Sequence, residues 1–135
     1  MRDFVLMAHI VLGLAIVLLV LFLLTARKVS TGIKITAVLS AALSWLILVP
    51  AGILYLIFYP ATQSLIMAGA WPWAHKIVME IKEHWGLLYP LVGTVGAVLV
   101  LRGKLNESKR WWILLLILTI LLAVMGRMVK MGAAA

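Results

Sequence analysis

Residues 4–26 read FVLMAHIVLGLAIVLLVLFLLTA, a run whose only polar side chains are His9 and Thr25. Crossing roughly 30 Å of hydrocarbon takes about 20 mostly apolar residues, so this run is long enough to span a membrane. Arg27, Lys28 and Lys34 close it, with Ser30-Thr31-Gly32 as the turn. It begins too near the N-terminus to read as a cleaved signal peptide, and no basic n-region with a small-residue cleavage site precedes it.

Three further runs follow the same pattern. Thr36 to Tyr59 is a second span with Pro50 inside it, and Trp73 to Leu101 is a third with Pro90 inside. Trp111 to about Met131 is the fourth. Membrane helices tolerate an internal proline because neighbouring groups re-satisfy the freed carbonyl. Pro60 is expected to end the second helix, leaving residues 61–71 as a mostly apolar connection at the interface. Pro72 suits the first turn of the third helix, and residues 102–110 read as a polar turn. The charged stretch from His75 to Glu83 makes the third run longer than a crossing requires, so that start is expected to project from the bilayer. The expected fold is all-α: a single transmembrane domain of 135 residues, a four-helix up-down bundle with helices near 4–26, 36–59, 73–101 and 111–131.

Composition leads to the same class. Of the 135 residues 66% are hydrophobic and 12% charged, whereas soluble domains run near 45–50% and about 25%. There is no polar shell for a soluble globule, and the chain reads as a multi-pass protein of the cell membrane. Twelve Lys and Arg stand against four Asp and Glu, a net charge of +8. Most of the basic residues lie between the apolar runs, where they set topology; nucleic acid is not an expected partner. Arg27, Lys28, Lys34, Arg102, Lys104, Lys109 and Arg110 fall on one side, and Arg2, Lys76, Lys82, Arg127 and Lys130 on the other. That count of seven against five puts both termini on the outer side. Trp111 and Trp112 mark the inner interface, and Phe4, Phe58, Tyr59, Trp71, Trp73 and Trp85 the outer one. Trp45, nearer mid-helix, reads as packing. The absence of cysteine excludes disulfides, thiolate zinc sites, iron–sulfur clusters and cysteine-attached haem. No nucleophile motif or phosphate loop is present.

Depth is the informative comparison. At 1.5 Å per residue, counting inward from the outer ends meets His9 on the first helix, Tyr55 on the second, His84 on the third and Arg127 on the fourth. All four lie at one level, roughly 7–9 Å inside the outer interface. Ionisable groups there cost about 2.5–3.5 kcal/mol each on insertion scales and face the bundle, water or a partner. Glu80 and His84 form an i, i+4 pair on one helix face. Each residue also has a plainer account. His9 and His75 can be interfacial, Tyr55 part of an aromatic belt, Arg127 a snorkelling cation, and the Gly86, Gly93, Gly96 and Ala97 set a close-packing surface.

Three chemistries suit the layer. His9 and His84, from different helices, can ligate one haem b axially, with Gly13 leaving room for the ring and Arg127, Lys82 and Lys130 placed for the propionates. In this architecture and histidine arrangement the chain resembles the small four-helix transmembrane b-type cytochromes. The resemblance implies electron exchange with a quinone or a redox partner protein, and Tyr55 with Glu80 would orient ligands or pass a proton. Many such proteins hold two haems, whereas one bis-histidine pair fits here. A second possibility is a zinc or non-haem iron site from His9, Glu80 and His84, with His75 or Glu83 added. The third involves no cofactor: Glu80, Glu83, Lys82, Arg127 and Lys130 would form an ion-pair network that holds the bundle or docks another subunit, in a homo-oligomer or larger membrane complex. Among the histidines, depth favours His84, while His75 shares the face of the Gly86/Gly93 stripe and His84 lies about 180° from it. If the stripe faces the centre, His75 is the better-directed ligand.

Overall fold

The computed structural model describes residues 1–135, and helix accounts for nearly all of them. Helix α1 runs Arg2–Thr25 and stops where Ala26 turns extended, at φ −63° and ψ 135°. Ser30 then caps α2, Thr31–Leu46, its side chain accepting the Ile33 N–H at 3.3 Å. A serine hydroxyl in this place satisfies one of the amides that a helix start leaves without a partner.

The second span is not one regular helix. Pro50 has no N–H, so the Leu46 carbonyl loses its usual i+4 donor, and the ladder breaks at Ile47 between α2 and α3, Leu48–Ile53. A π-turn, Leu54–Phe58, follows directly. Pro60 falls in the first turn of α4, Tyr59–Ala68. Pro60 therefore does not end the span as expected from its type: proline is tolerated in a first turn, and the wide π-turn before it changes the hydrogen-bond register. The expected connection at 61–71 shrinks to a few residues, and helix extends as one interrupted stretch over Thr31–Ala68. A second π-turn, Ala74–Met79, leads into α5, Glu80–Leu101, which carries Pro90 inside it.

The polar stretch 102–110 also contracts, to three residues. The Lys104 N–H bonds the Leu99 carbonyl at 2.8 Å and the Gly103 N–H bonds that of Val100 at 3.0 Å. These are the paired bonds of a Schellman stop, and Gly103 supplies the left-handed residue it needs, at φ 77°. Helix α6 then runs Leu105–Gly132.

Helix α5 packs along α2 and α6, and α1 packs along α2, α3 and α6. Small residues permit the closest approaches. A Cβ on Gly93 would sit 2.8 Å from the Ser44 hydroxyl, and one on Gly96 would sit 2.9 Å from the Trp112 ring. The larger core joins Ile16, Val20 and Leu23 of α1 to Ala37 and Ala41 of α2, Val100 of α5 and Leu115 of α6. A smaller one gathers Tyr59, Ile66, Ala74, Val78, Met79 and Val129 at the other end. Only 30 of 135 residues are buried, so most of the Leu, Ile and Val side chains face outward. Four helical stretches, Arg2–Thr25, Thr31–Ala68, Ala74–Leu101 and Leu105–Gly132, are long and apolar enough to cross a membrane. A lipid bilayer is the environment such a surface suits.

Candidate functional site

The buried side of α5 is set by Tyr89, Val92, Gly93, Gly96, Ala97 and Val100. The glycine stripe thus faces inward, and positions about 180° away face outward. Lys82 shares the inner side: its Cε would lie 3.5 Å from a Cβ on Gly126 of α6. That contact sets Lys82 and Gly126 at one level, with Arg127 one residue on.

Lys82 is the cation whose charge reaches His9, and the Ile47 carbonyl, at the break before Pro50, lies next to its ring. Its Nδ1 is buried and has no hydrogen-bond partner. Gly13, one turn on, faces the Ile47 side chain, 3.7 Å from where its Cβ would be.

His75 is held differently. Its Nδ1 is 2.9 Å from the Tyr59 hydroxyl and its Nε2 is 2.9 Å from the Gln63 amide nitrogen. With the amide donating to Nε2, the neutral ring carries its hydrogen on Nδ1 and donates it to the Tyr59 oxygen. Tyr55 stacks on Tyr59, ring centroids 5.5 Å apart, and Glu83 and Glu80 are the charged neighbours of its hydroxyl. Tyr55 sits in the first π-turn and His75 in the second, so two wide turns, a feature frequent at functional sites, hold this network in register.

His84 is exposed and turns away from both groups, while Glu80, exposed as well, lies on the Tyr55 side. The His84 Nδ1 donates to the Glu80 backbone carbonyl at 2.7 Å, which fixes the ring and leaves Nε2 free. Arg127 is exposed as well. The ion pairs of the chain are Arg2–Asp3 at 3.3 Å and Lys104–Glu107 at 3.5 Å; none forms among Glu80, Glu83, Lys82, Arg127 and Lys130.

Of the four residues expected in one layer, the structure puts His9 inside, within reach of the Lys82 charge, and Tyr55 on the tyrosine network, with His84 and Arg127 outside. His9, Glu80, His84 and His75 do not converge, and no group of three His, Cys, Asp or Glu is placed to hold a metal ion. Tyr59 and Gln63, the partners of His75, were not singled out from the sequence. Tyr59 read as belt, and the stretch carrying Gln63 read as a connection, so the i, i+4 relation between them was hidden. Comparison with protein-family models, with curated proteins and with solved structures found no match.

Proposed function

We propose that this chain is a membrane-embedded electron-transfer subunit of the b-type cytochrome kind, arranged up-down-up-down with both termini outside. In this proposal haem b would lie at the contact between α5 and a neighbouring membrane subunit, and His84 would be the residue of this chain that holds it. Electrons would pass to a quinone or a redox partner protein. The observation that carries the proposal is the posture of His84. An Nδ1–H bonded to a backbone carbonyl, with Nε2 free, is how a ligating imidazole is usually held. In addition, His84 stands at the start of the apolar run that ends at Leu101, and an outward imidazole there costs free energy unless something covers it.

A haem clamped between His9 and His84 of one chain does not fit this packing, since α5 turns His84 away from the side where His9 lies. His75 does not fit either: ligation would break its bond to Tyr59 or to Gln63. The donor set suits haem; a cradle within one chain is not formed. Bound there, haem would supply one-electron transfer, while Glu80 holds the imidazole orientation through its carbonyl.

The test is the optical spectrum of the protein isolated from haem-replete membranes with its partners retained, oxidised and then reduced with dithionite. Sharpened visible bands on reduction are expected, lost in His84→Ala and kept in His75→Ala. A full haem complement in His84→Ala would overturn the proposal. A colourless protein that still co-purifies with another membrane chain would favour a cofactor-free accessory subunit, for which the same outward imidazole speaks.

A further inference from the structure

At the end of the molecule away from the tyrosine network, the α1–α2 connection and the α5–α6 turn face each other across a cavity of about 420 Å³. Arg27, Lys28 and Val29 line it from one connection, and Lys104, Leu105 and Glu107 from the other. Lys104 is partly neutralised by Glu107, 3.5 Å away, whereas Arg27 and Lys28 take part in no ion pair. Two uncompensated cations therefore border a cleft whose floor includes the buried Leu105. Its height is fixed by the chain: Arg27 and Lys28 come directly after the apolar run of α1, and Lys104 after the last turn of α5. Trp111 and Trp112 follow about two turns into α6. The cleft thus stands at the headgroup level of any bilayer the four helices cross.

We propose that this cleft binds the phosphodiester of an anionic glycerophospholipid, with Arg27 and Lys28 meeting the phosphate and the apolar helix surfaces below taking the acyl chains. A guanidinium offers paired N–H donors that match phosphate oxygens, and the lysine adds a point charge. The chemistry alone suits any phosphate, free or esterified. The position of the cleft, beside helix ends that leave Leu21 and Leu101 exposed, favours the lipid. The proposal is independent of haem.

Native mass spectrometry of the detergent-purified protein, titrated with phosphatidylglycerol or phosphatidylcholine, tests it. Each surface cation near an anionic headgroup is worth about a fivefold change in affinity. The double variant Arg27→Gln, Lys28→Gln is therefore expected to lose phosphatidylglycerol binding by roughly 25-fold while phosphatidylcholine binding stays put. Lys34→Gln, an exposed lysine at the same end that does not line the cleft, should leave the affinity within about twofold, and added inorganic phosphate should not displace the lipid. If Lys34→Gln costs about fivefold or more, the effect is diffuse surface charge and the site is refuted. Displacement by inorganic phosphate, or no preference for phosphatidylglycerol, would equally overturn it. Both mutated side chains are exposed, and circular dichroism of the double variant verifies that the helices persist.

Discussion

Gly86 and Gly93 lie two turns apart on one face of α5, and their surroundings give them opposite tolerances. A methyl group on Gly93 would press into the Ser44 hydroxyl at 2.8 Å, while nothing lies within 4 Å of one on Gly86. Gly93→Ala is expected to cost about 1–3 kcal/mol, the range for overpacking a tight contact, and Gly86→Ala to be neutral or slightly stabilising through helix propensity. Denaturant titration of both variants, followed by helix content, checks the contrast; equal losses would mean that α2 and α5 are not packed this closely. The histidines are also best understood one residue at a time. Removing the Tyr59 hydroxyl leaves the His75 Nδ1 without its partner, a loss of about 1–3 kcal/mol for a half-buried polar group. Tyr59→Phe should therefore destabilise the protein more than His84→Ala does, measured in the same titration. Spacing along one helix was legible in the sequence, because 1.5 Å per residue is fixed, and it ranged His9, Tyr55, His84 and Arg127 at one expected level. Facing was not settled by spacing: the glycine stripe points His75 inward only if the stripe faces the centre, and the burial of Gly93 and Gly96 supplies that condition.

At the scale of elements, the interruptions of the second span have a definite cause. Pro50 removes the donor to the Leu46 carbonyl, whereas Pro60, after the π-turn, falls in the first turn of α4 and is accommodated there. Restoring an N–H with Pro50→Ala should let α2 and α3 join, slowing amide exchange across residues 46–51 by about tenfold or more, the equivalent of a 1.4 kcal/mol gain in local stability. Unchanged exchange would show that packing against α1, not the missing donor, holds the break. The turn at Arg102–Lys104 depends in the same way on one residue. Gly103 stands at φ 77°, so Gly103→Ala is expected to cost about 1–2 kcal/mol through the left-handed strain of a side chain, read as a lower unfolding midpoint. Element existence was legible because apolar runs of span length are long and continuous. Element ends were not. A proline marks a missing donor, but whether helix resumes beyond it depends on what the next turn packs against, and Ile66 of α4 is fully buried in the smaller core.

For the whole molecule, the lack of cysteine makes topology accessible to labelling. Single cysteines at positions 28 and 103 should react from one side of sealed vesicles, and those at 70 and 135 from the other, since the α1–α2 and α5–α6 connections line one cleft. The backbone between Gly69 and Ala135 likewise converges, a Cβ on Gly69 lying 3.4 Å from the last residue. Reaction of 28 and 103 from opposite sides would refute an up-down arrangement.

The sequence by itself determined the solvent. With 66% of its residues hydrophobic and 12% charged the chain has too little polar surface for a soluble globule, and in hydrocarbon every backbone group must bond within its own segment, so long runs become helices wherever they pack. Only the tertiary structure decided which polar groups meet. Helix–helix contact is set by small residues such as Gly93 against Ser44 and by the register shifts of two π-turns, and those rotate side chains by amounts that spacing along one helix does not encode. Hence His75 is engaged by Tyr59 and Gln63, His9 stands within reach of the Lys82 charge, and His84 is left facing outward.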